Sequence, residues 1–531
     1  DMPIASSGLP DVTTRVSGYR SEGLRADPLW VSAARQGVAT VAQQATQLFP
    51  LTPISSGAQL AAPPTILHGY QAPVVAPARW LRASDTSPRP CGADDRDATA
   101  CFSWRSGAVT FDAALGRDVS ETVLRVRVSG SSRHVVVRRA DTEREPPRGR
   151  DLARHFSGGL LVDVPGHEPA MAYFRLFDAT PDGKVLALFQ SAAQELVLAR
   201  GSRASRAEAI AFLENVGGFV GNGEDEPWDR SGVSGEPLWL GGDGTRERRY
   251  LETLELGIRQ TIRHAKHLWQ AQQPTAFIGY VSIPDEIDHT WLGQARIDAR
   301  YDEFRRWGYQ LVDRAVETYV SFVTPADHIV FVSDHGMTPV THDVRVNDAL
   351  RDAGLVAVDE NGVVDPTRSQ VWFARNCLVV RTTAWQGGTV PVARRAAVLA
   401  KAEAALREIR PPQGRQPVVS AFFSSKADRE RLGFGGSNGF DACVDFRPGY
   451  EATTTTGAGP IVRMKMRPTG THGFLPTRPD MHGILIGAGP RLPVGGRWPV
   501  QRAIDVAPLV SDLLGIQPPR DARGRSPLLR P

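Results

Sequence analysis

Ala276-Phe-Ile-Gly-Tyr-Val-Ser-Ile-Pro-Asp-Glu-Ile-Asp-His289 and Ile329-Val-Phe-Val-Ser-Asp-His-Gly-Met337 are the two stretches on which the reading of the fold turns. Each opens on an apolar run rich in Val, Ile and Phe, the texture of a buried strand. Each ends in residues that bind metal ions: Asp285 and His289 in the first, Asp334 and His335 in the second. In a parallel α/β sheet, ligands collect beyond the carboxyl ends of the strands. If the chain turns helically after Pro284, residues i and i+4 share a face, and Asp285 and His289 can share an ion. Gly336 permits the turn that lets an adjacent Asp and His both reach a metal. A fifth residue, His472, stands alone in Gly470-Thr-His-Gly473. Imidazole nitrogen and carboxylate oxygen are the right donors for zinc. An isolated Asp-x-x-x-His more often marks surface than a metal site. Two such pairs at consecutive strand ends, joined by His472, predict a two-metal centre.

Other residues compete for these roles. Asp288 is an alternative to Asp285 but lies off the strand end. His342 reads as a loop residue, and His482 precedes a strand, at the wrong end for the site. His264 and His267 sit at i and i+3 on a helical pattern, where a solvated surface is expected.

Outward from these motifs, helices and strands alternate. Leu251, Leu254, Ile258 and Ile262 follow helical spacing and predict an amphipathic helix near 247–270. A second helix is expected near 300–323, with Phe304, Trp307, Leu311, Ala315 and Tyr319 on one face, and a third over 393–409. Gly483-Ile-Leu-Ile-Gly487 reads as a late strand. Upstream, Pro28 to Gly37 reads as a short helix stopped by glycine, with a strand at Val38–Ala42. The texture between is different. Leu124, Val126 and Val128 alternate with Arg125 and Arg127, and Tyr173–Phe177 and Val185–Phe189 flank Pro181-Asp-Gly183 as a hairpin. The expected fold is therefore α/β, a largely parallel central sheet covered by helices on both faces. It is divided into a first core part at 1–85, a β-rich insertion at 86–205 and a second core part at 206–531.

Composition narrows the class. With 41% hydrophobic and 23% charged residues among 531, the chain has the make-up of a soluble globular protein. A net charge of +4 is too small at this length to argue for a nucleic-acid partner, and suits a small anionic substrate. No run of 18 apolar residues is present to span a membrane. The four cysteines include no Cys-x-x-Cys pair, which argues against a thiolate zinc site. Cys91 and Cys101 flank a polar loop and suit a local disulfide, with two free thiols as the alternative. A periplasmic or secreted location is expected.

At this point the chain resembles a known family. Ile283-Pro-Asp-Glu-Ile-Asp-His289, Val332-Ser-Asp-His-Gly-Met337 and Thr471-His-Gly473, in that order, resemble the alkaline phosphatase superfamily, and within it the type I phosphodiesterase/nucleotide pyrophosphatase group. Weaker carriers are Asp27-Pro-Leu-Trp30 with Ala34-Arg-Gln-Gly37, and the tail Ile504-Asp-Val-Ala-Pro-Leu-Val510 with Leu513-Leu-Gly515. The resemblance covers nearly all of the chain outside the β-rich insertion. It implies two zinc ions, one held by Asp285, His289 and His472, the other by Asp334 and His335. It implies in-line displacement on phosphate esters through a covalent phosphoryl-enzyme, with diesters or nucleotide-type substrates first and monoesters as the alternative. Activity should fall in acid as His289, His335 and His472 protonate. The family's second zinc also takes an Asp after the first strand and a Thr or Ser nucleophile. Both precede the motif matching Asp27–Gly37 and are expected upstream of Asp1. Ser6, Ser7, Thr13 and Thr14 are poor candidates for that nucleophile. An inactive metal-binding remnant is therefore the competing reading of the chain as it stands.

Overall fold

A computed structural model describes residues 9–12, 21, 24, 26–48, 60–69, 72–118, 121–221, 232–374, 376–432 and 439–529. Ser6, Ser7, Thr13 and Thr14 lie outside the described residues. The fold is mixed α/β, and the chain divides into two compact units: Gly18–Ile287, Asp302–Phe331 and Ile486–Pro531 form one, and Asp1–Ser17, Asp288–Tyr301 and Val332–Leu485 the other.

In the larger unit, Thr40–Gln43 runs parallel to both Thr65–His68 and Ala276–Gly279. The parallel order stops there. On the Thr65–His68 edge, Val197–Arg200 pairs antiparallel, followed by Ser202–Arg203. Ile329–Val332 pairs instead with Leu485–Ala488. The run read as one strand over 276–283 is shorter than expected, because Ile283 already opens a helix, Ile283–Trp291. The helix Thr245–Gln272 buries Leu251, Leu254 and Ile258, as their spacing predicts. Arg300–Val320 buries Phe304, Leu311 and Ala315.

The β-rich segment is antiparallel. Ser87–Pro88, Ala100–Ser106, Val109–Asp118, Glu121–Val128 and His134–Arg138 form a five-stranded sheet in sequence order. The expected hairpin forms between Phe174–Ala179 and Leu186–Gln190, and Arg79–Leu81 adds to it. Arg175, in the strand Phe174–Ala179, reaches the buried Glu252 of the helix Thr245–Gln272 at 2.8 Å, and both side chains are fully buried. Three of its other N–H groups donate to the carbonyls of Ala140, Asp141 and Leu176. A buried ion pair is tolerated only when its other polar atoms are satisfied in this way. Cys91 and Cys101 form a disulfide.

In the smaller unit, Val371–Ala374, Cys377–Val380, Ala442–Phe446 and Val419–Phe423 form an antiparallel sheet, crossed by a second disulfide, Cys377–Cys443. Thr338–Arg345 lies between Gly449–Thr453 and Val462–Thr471 in a second sheet. Val340, Leu350, Leu378 and Phe446 share one apolar core.

His264 corrects an expectation. It is fully buried rather than solvated, and Nε2–H donates to the Gly217 carbonyl at 2.9 Å. Of the two, His267 alone is exposed. Burial holds the His264 imidazole down at about 4. Burial drives Glu255, on the same helix, up to about 7, against the pull of its partner Arg314. The signs oppose. The His264 contribution is complete above 6.5 and is lost as pH falls towards about 4. Glu255 prefers its protonated form, so its contribution is complete below 4.5 and is lost as pH rises to about 7. Each is worth about 3 kcal/mol across its window. The two slopes therefore nearly cancel between 4.5 and 6.5. In Glu255→Gln, urea-unfolding stability should rise with pH through that interval while the wild type stays flatter. Parallel profiles for the two proteins would contradict this.

Candidate metal centre

The helix Ile283–Trp291 carries Asp285 in its first turn and His289 one turn later, on the same face. The unit boundary falls within this helix, so the helix itself fixes Asp285 relative to His289. A carboxylate in the first turn faces the positive end of the helix dipole. His472 follows the last residue of the strand Val462–Thr471. Asp285, His289 and His472 each offer a donor atom, and these atoms lie within 4.8 Å of one another.

His289 Nδ1 is 2.8 Å from the carbonyl oxygen of Gly470. A carbonyl can only accept, so Nδ1 carries the proton and the lone pair sits on Nε2. The contact depends on a glycine. A Cβ at Gly470 would stand 2.2 Å from the Asp288 carbonyl oxygen, so only glycine lets the strand lie this close to the helix backbone.

Asp334 and His335 follow the strand Ile329–Val332 in a bend. The Asp334 carboxylate is 3.3 Å from His335 Nε2. Two donors on one tetrahedral zinc, with bonds of about 2.05 Å, stand about 3.3 Å apart, so the pair is already spaced to share an ion. His335 Nδ1 is 3.0 Å from the Gly336 carbonyl, which again leaves the lone pair on Nε2. A Cβ on Gly336 would meet the Asp480 carbonyl oxygen at 2.3 Å. The His335 ring stacks on His472 at 3.7 Å, and His472 lies 5.2 Å from His289, ring centre to ring centre. Asp334 is 70% exposed, His335 27%. The centre therefore opens to solvent on the Asp334 side.

Among the described residues, none of the competing side chains joins the donor group of Asp285, His289 and His472. Asp288 is buried and turns its carbonyl towards Gly470. His342 packs on the Tyr450 ring at 5.0 Å. His482 is exposed in the segment before Leu485–Ala488. The sequence reading missed the support beside His472: Thr471 Oγ1 donates to Glu451 at 3.0 Å, and Glu451 is held in turn by Lys465 at 3.0 Å. The one available signal was the alternation of Met464 and Met466, both exposed, with Lys465 in a strand ending at Thr471.

Residues 223–475 match the family model described as type I phosphodiesterase / nucleotide pyrophosphatase, a segment that holds all five candidate ligands. No curated protein matches the chain. Among solved structures, human ectonucleotide pyrophosphatase / phosphodiesterase 5 is similar at 14% identity and a TM-score of 0.32, over 51% of this chain and 61% of that one. The murine protein of the same name gives 14% and 0.31, over 50% and 60%. The chain thus spans about three-fifths of the length of the solved proteins it matches.

Proposed function

We propose, from the match of residues 223–475 to the type I phosphodiesterase / nucleotide pyrophosphatase model, that this chain carries the metal centre of a phosphoric ester hydrolase acting on phosphodiester or nucleotide-type substrates. Asp285, His289 and His472 would hold one zinc ion, and Asp334 and His335 the other. Bound there, two zinc ions supply Lewis-acid stabilisation to the attacking and leaving oxygens of an in-line displacement. The observation that carries the reading is the state of the imidazoles. His289 and His335 each have Nδ1 tied to a backbone carbonyl, which leaves the basic lone pair on Nε2. That is the arrangement metal-ligating histidines use.

The residues also account for access. Asp334 is 70% exposed, and its side is the approach this reading gives to an anionic ester. The fold that fits this reading is an alkaline phosphatase-like core formed by 1–85 and 206–531, with 86–205 as an insertion. The two disulfides support a periplasmic or secreted location. No helix among the described residues is long and apolar enough to cross a membrane.

The full-length protein is expected to hydrolyse bis(p-nitrophenyl) phosphate faster than p-nitrophenyl phosphate. It should lose that activity to a chelator and regain it with zinc. Zinc-loaded protein that turns over neither ester would overturn the reading.

A further inference from the structure

His472 leaves the strand Val462–Thr471 and enters a segment with no helix or strand of its own before the short turn Pro479–Met481. A ligand on irregular chain stays in place only if its neighbours are held from outside. Within the smaller unit, the strand Ala442–Phe446 supplies part of that support. Asp445 Oδ1 accepts from the Leu475 backbone N–H at 3.4 Å, and the Phe446 carbonyl accepts from Arg478 Nη1 at 3.2 Å. The Arg478 guanidinium covers the Phe474 ring at 4.3 Å. These contacts hold 474–478, past the residue that follows His472. That residue, Gly473, has φ of 90° and no Cβ, so its own side chain does nothing to restrain the backbone there.

Asn376 reaches this point. Its Nδ2–H donates to the Gly473 carbonyl at 3.3 Å. A carbonyl can only accept, so the amide nitrogen is the atom that faces it. Asn376 lies in the turn between the paired residues Ala374 and Cys377, with φ of 61°. Glycine enters that left-handed region freely and asparagine tolerates it. Glycine alone would meet the backbone requirement; asparagine meets it and adds a donor, directed at the carbonyl one residue past His472. The base of the turn is fixed. The Val444 N–H donates to the Asn376 carbonyl at 2.7 Å. The next residue, Cys377, pairs in register with Cys443 and is joined to it by a disulfide. A short side chain on a backbone tied in this way has a defined reach.

We infer that Asn376 is a positioning residue for the three-donor metal site: through the Gly473 carbonyl it fixes where the His472 ring stands against His289, 5.2 Å away centre to centre. The inference rests on the reading of Asp285, His289 and His472 as one zinc site. The test is zinc affinity of the whole chain, measured by competition with a chelator, beside the melting midpoint. Asn376→Gly removes the donor and relieves the left-handed backbone, so its midpoint should stay within a few degrees of the wild type. Its affinity for the more tightly held zinc should fall by about tenfold. Asn376→Asp keeps the shape but sets an acceptor against the Gly473 carbonyl, and should weaken zinc at least as much. With cobalt(II) in place of zinc, the visible ligand-field bands of Asn376→Gly should differ from those of the wild type, a change that a loss of stability alone does not produce. Wild-type zinc affinity and an unaltered cobalt spectrum in both variants would overturn the inference and leave the metal site standing. A wild type that takes up no zinc would overturn the metal site itself, and this role of Asn376 with it.

Discussion

Zinc-loaded His472→Ala should hold about one equivalent of metal less than the wild type, by elemental analysis after gel filtration. His472 belongs with Asp285 and His289 as one of three donor groups within 4.8 Å, and its ring also stacks on His335 at 3.7 Å. Structural zinc sites yield about 10–16 kcal/mol from four ligands, or about 3 kcal/mol per ligand. Losing one ligand should therefore weaken that ion by about a hundredfold or more. The Asp334–His335 pair does not need His472 to hold its 3.3 Å spacing, so whatever occupancy it has in the wild type should be unchanged in the variant. His289→Ala should empty the same site. His342→Ala is the control, since that ring packs on Tyr450 and offers no donor to the centre. A zinc content in His472→Ala equal to that of the wild type would show that the three-residue group does not hold an ion.

The second large effect is expected from one methyl group. In Gly470→Ala the new Cβ would lie 2.2 Å from the Asp288 carbonyl oxygen, and backbone cannot rotate away as a side chain can. Strand and helix must separate, at a cost of about 3 kcal/mol. The separation also breaks the 2.8 Å bond from His289 Nδ1 to the Gly470 carbonyl. Losing such a supporting bond lowers metal affinity by about 10–100-fold. Two readouts should move together: the thermal midpoint falls by several degrees, and zinc titration shows a weakened first site. Gly473→Ala separates the effects. Gly473 has φ of 90° but nothing within 4 Å of an added Cβ. That variant should pay only the left-handed backbone penalty, about 1–2 kcal/mol, and keep its zinc. Equal loss of zinc in both variants would refute the close-approach argument.

The parts of this molecule legible in the sequence are those whose causes are local. The apolar runs before Asp285 and Asp334 state the strands and their ends, and the four-residue spacing of Asp285 and His289 becomes a shared helix face. The helix Thr245–Gln272 was readable from Leu251, Leu254 and Ile258. What was not legible depends on distant partners. His264 looks like a surface residue beside His267 until the Gly217 carbonyl, 47 residues away, meets its Nε2. Cys377 and Cys443 carry no spacing signal, because their pairing is set by strand register. The strand leading to His472 was obscured because Val462–Thr471 turns Met464 and Met466 outward, at 70% and 89% exposure, and so lacks an apolar run. The sheet is less parallel than the α/β alternation implied, because Val197–Arg200 returns from the β-rich segment to pair antiparallel with Thr65–His68.

The orienting partners of His289 and His335 are main-chain oxygens, those of Gly470 and Gly336. No side-chain exchange can delete a carbonyl. Neutral drift could rewrite most neighbours of the centre without disturbing which imidazole nitrogen is basic. The vulnerable positions are the two where a glycine gives way to anything larger. The centre is thus written in where the backbone is allowed to pass, and a damaging mutation there adds atoms and takes none away.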